Sequence, residues 1–273
     1  MKLRSLLYVP AHSQRFIAKA HERGADAIIL DLEDAVAEAD KTAARNNLAA
    51  AIASVTRNGA AAFVRINAGA RQRDDAIAAT RARAHGLFIP KAGDVGALQA
   101  LAGTLRAEEA SLGRAPTRFV AMIEDPAAML DALAIARVQR VMALSFGAED
   151  FTAATGGTPT PDVLRFPKLA VHYAAKAEGK LSFGLLQSIA DYTDLRALAA
   201  AAAEAKAHGF DGATCIHPSG VPILNAGFAP TDAERDWAKR VLAAAPTSDA
   251  AFSLDGRMVD APVVARARKM LDL

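Results

Sequence analysis

The chain has 273 residues, of which 52% are hydrophobic, and its formal net charge is +2 at pH 7. This length suits one large α/β domain with at most a small appendage. Acidic and basic residues are interspersed, which gives no electrostatic argument for nucleic acid, and the single cysteine, Cys215, excludes an intrachain disulfide and fits a reducing cytoplasm.

Apolar runs and helix-like stretches alternate along the chain. The first run, residues 6–9, is too short for a signal peptide or a membrane span, and we expect no membrane contact. Turn or polar residues close each later run, which is typical of buried parallel strands. The sequence predicts strands near residues 6–9, 27–32, 63–67, 86–90, 119–123, 141–146, 181–186 and 212–216, and helices near residues 13–23, 40–57, 74–84, 94–109, 193–208, after Pro126 and up to about residue 178.

Eight such units in succession predict a (β/α)8 TIM barrel over residues 1–227, rather than a doubly wound open sheet. Polar residues follow nearly every run, as at a mouth closed all round, and no glycine-rich dinucleotide turn follows the first strand. The tail, residues 228–273, predicts a helix near 232–244, a loop and a short helix from about Val263. We expect this tail to lack a core of its own and to pack on the barrel or on a neighbouring subunit.

Three charged residues, Arg65, Glu124 and Asp150, lie at or just after the ends of three predicted strands. The carboxyl ends of parallel strands meet at one mouth, where α/β enzymes place their chemistry. Mg²⁺ prefers oxygen ligands and is commonly held by one or two carboxylates. The pattern therefore indicates a divalent-metal site beside an anionic substrate. The alternative is that Glu124 caps the helix near Pro126 and that Asp150 caps another turn.

Arg65 has the opposite strand parity to its apolar neighbours, so we expect its side chain to point into the barrel. A buried guanidinium needs a carboxylate partner or an anionic ligand. Asp31, Glu33 and Asp34 follow the second strand and offer such partners. They could touch a metal directly, act through water, or orient Arg65 and Lys91, and the indirect role is the favoured interpretation.

Two further groups could bind ligands. Arg15 and Lys19 lie four residues apart on one face of the first predicted helix and, with Tyr8, could hold phosphates and an adenine, although such pairs are mostly solvated surface. His217 ends the eighth strand and is either a structural histidine or an acid or base.

Several segments share a family pattern, in order along nearly the whole chain: 4–10 RSLLYVP, 30–36 LDLEDAV, 64–67 VRIN, 90–91 PK, 123–124 IE, 146–150 FGAED, 209–212 GFDG, 216–218 IHP and 256–262 GRMVDAP. Together they resemble the citrate lyase beta-subunit-like proteins of the HpcH/HpaI aldolase superfamily. The resemblance implies a barrel with a small C-terminal helical lid over residues 228–273, assembled as a homotrimer or a multiple of trimers.

The resemblance also implies roles for particular residues. Mg²⁺ would be bound by Glu124 and Asp150, completed by waters and substrate oxygens, and Arg65 would contact a carbonyl or carboxylate oxygen of the substrate. Asp260 matches an aspartate that relatives extend from the lid, often into a neighbour's site, as the acid/base. The residues at the positions of the family's CoA contacts are Tyr8, Arg15, Lys19, Ile216 and His217.

The chain departs from the family pattern at two places. Ala92 and Gly93 follow Pro90-Lys91 where the family usually has a hydrophobic residue and then glutamate, and Leu186 stands where many relatives carry aspartate. Either change could alter the substrate accepted, and neither removes the expected metal ligands.

The resemblance implies a Mg²⁺-dependent carbon–carbon lyase, and the single cysteine favours a cytoplasmic location. We expect it to cleave, or form, a β-hydroxyacyl-CoA thioester such as citryl-CoA or malyl-CoA, yielding an acyl-CoA and an α-keto acid. The thioester could instead be carried by an acyl carrier protein. Two alternatives are a malate-synthase-like condensation with thioester hydrolysis and a non-catalytic CoA-binding subunit of a lyase complex.

Overall fold

The computed structural model describes residues 2–188, 193–245 and 251–271. The chain divides into two compact units, Met1–Phe228 and Ala229–Leu273.

The first unit is built around a sheet of eight parallel strands. They are β1 (Ser5–Pro10), β2 (Ala27–Asp31), β3 (Ala61–Arg65), β4 (Gly86–Ile89), β5 (Arg118–Ile123), β6 (Val141–Phe146), β7 (Leu181–Phe183) and β8 (Ala213–Cys215). Each strand from β1 to β6 pairs with the next along the chain, and β8 returns to pair with β1. This order is that of a sheet rolled into a barrel.

The barrel closes where β7 approaches the start of β8. Phe183 and Gly212 form a parallel bridge. The amide of Gly184 donates to the carbonyl of Gly212 at 2.9 Å, and the amide of Asp211 donates to the carbonyl of Ser182 at 3.0 Å. The fold is therefore a nearly closed barrel with flanking helices, which confirms the predicted (β/α)8 TIM barrel and shows the doubly wound sheet to be wrong.

The strands are apolar on both faces, which explains why they appear in the sequence as continuous apolar runs. One buried cluster includes Phe63 and Phe88 and fills the barrel interior. A larger cluster, which includes Val64 and Ile66, packs the strands against the helices. Arg65 shares the parity of Phe63, so its side chain enters the barrel from its mouth.

The helices of the first unit differ from the predicted ones in three places. The helix predicted as continuous over residues 40–57 is broken at Asn47. Short helices follow β6 and β8 and were not predicted, because glycine and proline near their starts indicate turns. The helices are α1 (Gln14–Ala20), α2 (Lys41–Asn46), α3 (Leu48–Val55), α4 (Gln72–Arg81), α5 (Val95–Ser111), α6 (Pro126–Leu130), α7 (Ala132–Ala136), α8 (Ala148–Thr155), α9 (Pro161–Ala177), α10 (Leu195–His208) and α11 (Gly220–Phe228). Within the described ranges, none of the helices has the length and apolar character needed to cross a bilayer.

The second unit contains α12 (Asp232–Ala244), an antiparallel hairpin of β9 (Phe252–Leu254) and β10 (Arg257–Val259), and α13 (Ala261–Met270). Ala238, Val241, Val259 and Ala267 form a small buried cluster between these elements. The expectation that the tail has no core of its own is therefore wrong. The hairpin was missed because its strands are only three residues long and mostly exposed.

We expect Gly212→Ala to destabilise the barrel at its closure. A Cβ atom there would lie 1.9 Å from the carbonyl oxygen of Leu3 and 2.8 Å from that of Arg4, and neither backbone group can move without disturbing β1. The expected loss in the free energy of unfolding is about 3 kcal/mol or more, measured by urea denaturation.

Gly103→Ala is the matched control, because Gly103 lies within α5 and a Cβ atom there would have nothing within 4 Å of it. This variant should gain roughly 0.5–1 kcal/mol. Equal stability of the two variants would contradict the proposed closure.

Candidate active site

Arg65 lies at the mouth of the barrel. It is the last residue of β3 and lies beside Asp31, its register partner at the end of β2. Its Nε and Nη2 donate to the two carboxylate oxygens of Asp31 at 2.7 and 2.6 Å. Its Nη1 lies 2.9 Å from Asp34 and 3.0 Å from Glu33. Burial opposes the charge, but the hydrogen bonds to Asp31 outweigh it, so the pKa of Arg65 is raised and the guanidinium stays charged.

Asp31 holds both the guanidinium and the following loop. Its oxygens also accept hydrogen bonds from the backbone amides of Glu33 at 2.9 Å and Ala35 at 3.1 Å. This buried carboxylate therefore has four donors, and it orients Arg65 rather than offering free oxygens to a ligand.

Glu124 follows β5 and is almost completely buried, with 5% of its surface exposed. Its Oε2 accepts a hydrogen bond from the backbone amide of Lys91 at 2.7 Å. Lys91 has a left-handed backbone, with φ of 50°, and thus contributes its amide while its side chain is exposed. The Oε1 of Glu124 accepts no hydrogen bond from any residue in the described ranges, so one oxygen remains available to a ligand.

Asp150 lies in the first turn of α8, where it is exposed. Burial raises the pKa of Glu124 to about 7, and the nearby negative charge of Asp150 contributes to this shift. Both capping alternatives are wrong. Asp125, not Glu124, caps α6 by accepting from the amide of Ala128, and Gly147, not Asp150, is the N-cap of α8.

Gly147 makes room for Glu124. A Cβ atom on this glycine would lie 2.7 Å from Cγ of Glu124 and 2.8 Å from its Oε1, so any larger residue would displace the carboxylate. Sequence reasoning placed Gly147 within a family motif but gave it no role, because the close approach depends on the pairing of β5 with β6.

Negative charge accumulates at this mouth. We use "carboxylate cluster" for Asp31, Glu33, Asp34, Glu124 and Asp150, which face two cationic side chains, Arg65 and Lys91. When all are ionised, five negative charges oppose two positive ones, an excess of three. Burial and the neighbouring carboxylates raise the pKa of Glu33 to about 7, although Arg65 opposes the shift.

The carboxylate cluster fits a hard divalent cation. Glu124 and Asp150 offer oxygen donors, and a divalent charge would offset most of the local excess. The residues that the structure describes contain no group of three or more His, Cys, Asp or Glu side chains able to bind a metal together. A cation bound by two carboxylates would therefore take its other ligands from water or from substrate oxygens, as Mg²⁺ commonly does.

A cavity of about 510 Å³ opens beside the mouth, between β1, α1 and the end of β8. The sequence-predicted CoA contacts all line it: Tyr8, Arg15, Lys19, Ile216 and His217. Tyr8 also lies under the Arg65 guanidinium, which is 5.0 Å from the ring centroid. Tyr8 therefore belongs both to the wall of this cavity and to the surroundings of Arg65, and Arg15 and Lys19 supply positive charge along the same wall.

Asp260 belongs to the second unit. It is the N-cap of α13, where its Oδ1 accepts a hydrogen bond from the amide of Val263 at 3.3 Å. Its role as acid/base stays a prediction.

Lys168 is a buried cation that the sequence analysis missed. It lies on the buried face of α9, and its Nζ donates to the carbonyls of Leu185 at 2.9 Å and Gln187 at 2.7 Å. Burial lowers the pKa of Lys168 to about 8. This lysine fastens the segment after β7 that begins with Gly184 and contains Leu186. A charged residue between the apolar Leu164 and Val171 of one helix face was the available signal.

Comparison with known proteins gave consistent matches. A family model described as HpcH/HpaI aldolase/citrate lyase matches residues 4–218. A citrate lyase subunit beta-like protein of Mycobacterium tuberculosis is 35% identical, and the match covers 97% of this chain and 93% of the relative. A (3S)-malyl-CoA thioesterase of Cereibacter sphaeroides is 32% identical, with 98% and 93% covered.

Solved structures match along the same length. CitE from Mycobacterium tuberculosis in complex with magnesium, acetoacetate and coenzyme A superposes with a TM-score of 0.79 at 32% identity, covering 98% of this chain and 96% of that one. CitE from the same organism in complex with magnesium and pyruvate gives a TM-score of 0.70 at 29% identity, covering 98% and 99%.

We expect Glu124→Gln to stabilise the protein above pH 7 in the absence of divalent cations. The raised pKa of Glu124 means that the folded state binds a proton more tightly than the unfolded state, so this carboxylate destabilises the fold increasingly as pH rises from about 4.5 to about 7. The glutamine keeps the acceptor for Lys91 and removes the charge. The gain should reach roughly 3 kcal/mol at most and vanish near pH 4.5, as measured by urea denaturation across this range.

Glu22→Gln, which removes an exposed carboxylate, is the control and should change stability by less than about 0.5 kcal/mol at either pH. A Glu124→Gln effect that is independent of pH would contradict the assignment of an ionised, desolvated carboxylate.

Proposed function

This chain belongs to the HpcH/HpaI aldolase/citrate lyase family, and we propose that it is a Mg²⁺-dependent carbon–carbon lyase. Its substrate would be a β-hydroxyacyl-CoA thioester such as citryl-CoA or malyl-CoA, cleaved to an acyl-CoA and an α-keto acid, or formed from them. One observation carries the proposal: the charges of Asp150 and Arg65 both act on buried Glu124, and Arg65 lies over Tyr8, which lines a cavity with cationic side chains.

Glu124 and Asp150 would hold the cation. Mg²⁺ at this position would supply Lewis-acid chemistry, polarising the carbonyl of the keto acid. The raised pKa of Glu124 supports this assignment. Without a cation the ionised form of this carboxylate is disfavoured, so a neighbouring cation would stabilise it strongly. The magnesium in both related CitE complexes supports it as well.

Arg65 would stabilise the charge that develops on the substrate. Its Nη2 donates one of its two N–H bonds to Asp31, and the second meets no acceptor in the described part of the chain. That N–H is available to a substrate oxygen. The bidentate contact with Asp31 holds the donor in place before substrate binds, which lowers the cost of reorganisation during the reaction.

In the cleavage direction, the hydroxyl proton would pass to water and the bond between the α and β carbons would break. Its electron pair moves onto the thioester as an enolate, and the former hydroxyl carbon becomes the carbonyl of the keto acid. Arg65 would stabilise the enolate, and Asp260 would protonate its α carbon. In condensation Asp260 would remove that proton.

Arg15 and Lys19 would bind the phosphates of CoA, and Tyr8, Ile216 and His217 would line its path. The cavity of about 510 Å³ supports a free CoA thioester as the substrate, because its wall combines cationic and apolar side chains. Assembly as a homotrimer stays a prediction.

Thioester hydrolysis is a second candidate function, favoured by the similarity to the (3S)-malyl-CoA thioesterase of Cereibacter sphaeroides. The two functions differ in product: an acyl-CoA and a keto acid from the lyase, free CoA from the hydrolase.

Single-turnover assays with citryl-CoA and malyl-CoA test the proposal. We expect the purified protein to release an acyl-CoA and a keto acid with Mg²⁺ and to lose this activity in EDTA. Glu124→Gln and Asp150→Asn should each lower the rate at least about 100-fold. Glu22→Gln should retain it. Mg²⁺ should raise the melting temperature of the wild type but not of Glu124→Gln.

Cleavage that persists in EDTA would contradict the metal assignment. Free CoA as the product would favour hydrolysis, and CoA binding without turnover of either thioester would favour the non-catalytic subunit.

We expect Asp260→Asn to lose carbon–carbon cleavage by about 100-fold or more while still binding Mg²⁺ and CoA, because the amide cannot transfer the proton. Asparagine is as good an N-cap as aspartate, so α13 should keep its stability. Asp260→Ala, which removes both the cap and the acid, separates the two effects by its lower melting temperature. Full activity of Asp260→Asn would remove Asp260 from the mechanism.

A further inference from the structure

A second basic cavity lies at the opposite end of the barrel from the carboxylate cluster. It has a volume of about 780 Å³ and lies beside the amino-terminal ends of β5 and β6 and the later turns of α5. Glu124 and Asp150 follow the carboxyl ends of the same two strands. The cavity is therefore separate from the candidate active site, and the proposed function makes no use of it.

The wall of this cavity is strongly cationic. Four arginines line it, Arg106, Arg114, Arg118 and Arg140, with Glu109 as the one carboxylate among the described lining residues. Glu109 and Arg140 are buried and paired with each other, and Glu109 also accepts a hydrogen bond from the amide of Thr117 at 2.7 Å. Glu109 is hydrogen-bonded to Arg140 and also attracts Arg114, but one carboxylate against four guanidiniums leaves the wall with an excess of three positive charges.

The remaining three arginines form no ion pair with any carboxylate of the described residues. Arg114 donates to the backbone carbonyls of Thr80 at 2.9 Å and Ala84 at 2.6 Å, which position it without neutralising it. The side chains of Arg106 and Arg118 form no hydrogen bond or ion pair with any residue that the structure describes. The positive potential also reaches His85, whose pKa is lowered by burial and further by Arg114 and Arg118.

Size and chemistry together define the ligand. Three guanidiniums match an anion of about three negative charges, and their planar forks suit phosphate oxygens. The volume is within the range of small-molecule sites and exceeds what a diphosphate alone would fill. Ala102, Val138 and Pro116 add an apolar part to the wall, and Gln99 and Gln139 add amides that could donate and accept hydrogen bonds.

We propose that this cavity binds a small phosphorylated organic molecule, with a nucleoside diphosphate as the class that matches its charge and volume. The phosphates contact Arg106, Arg114 and Arg118, and the organic part lies on the apolar wall. Electrostatic focusing in a concave basic site raises the local concentration of such an anion.

Calorimetric titration with ADP tests this site. The experiment uses the full chain carrying Arg15→Gln and Lys19→Gln, which removes the two cations of the other cavity, and it is run in EDTA so that no metal complex of ADP forms. We expect one ADP per chain, with binding at least about tenfold tighter than that of adenosine, because charge-assisted hydrogen bonds to the phosphates provide the difference.

Adding Arg106→Gln and Arg118→Gln should weaken ADP binding at least about tenfold. Both side chains are exposed, so the melting temperature should stay unchanged. The charge-matched control adds Arg165→Gln and Arg268→Gln, two exposed arginines outside both cavities, and should bind ADP as the parent does. No heat of binding up to about 10 mM ADP, equal affinity for adenosine, or equal weakening in the control would overturn the proposal. Because Arg15 and Lys19 are already replaced, each of these outcomes is independent of the proposed lyase function.

Discussion

The candidate active site depends on one electrostatic constraint: the barrel mouth carries more negative than positive charge. In the described part of the chain, Arg65 is the one arginine paired with the carboxylate cluster, and Asp31 holds it in a bidentate contact with oxygens at 2.7 and 2.6 Å. That contact pairs Arg65 with Asp31, so the charges of Glu124 and Asp150 are not fully neutralised by Arg65. A buried carboxylate in this position is unstable by itself and becomes favourable when a cation is bound. The excess of negative charge therefore has two consequences: it lowers the stability of the cation-free fold, and it favours the binding of the proposed cation.

The two ends of the barrel carry opposite charge. The carboxyl ends of the strands present acidic side chains, whereas β5 and β6 begin beside Arg118 and Arg140. Residues at the two ends of one strand can belong to separate sites, because Phe63, Phe88 and other apolar side chains fill the barrel interior between them.

Much of this arrangement could be predicted from the chain itself. Continuous apolar runs alternating with helix-like stretches predicted the barrel, since strands covered on both faces leave that pattern. The parity of Arg65 placed its side chain inside the mouth, and the ends of the predicted strands brought Glu124 and Asp150 to the same side. The prediction failed for the hairpin of residues 252–259 and for the core around Val241 and Val259, because short, half-exposed strands leave little periodicity.

The sequence by itself determined the order of strands and helices and the charged residues at the strand ends, because these follow from local hydrophobic pattern and polypeptide direction. Only the tertiary structure decided which atoms meet. The backbone amide of Lys91, rather than its side chain, contacts Glu124, and Gly147 leaves space for that carboxylate. Three arginines likewise gather at the other end of the barrel, with no ion pair to the carboxylates of the described chain. These features depend on the lateral packing of strands distant in the chain, which no local pattern encodes.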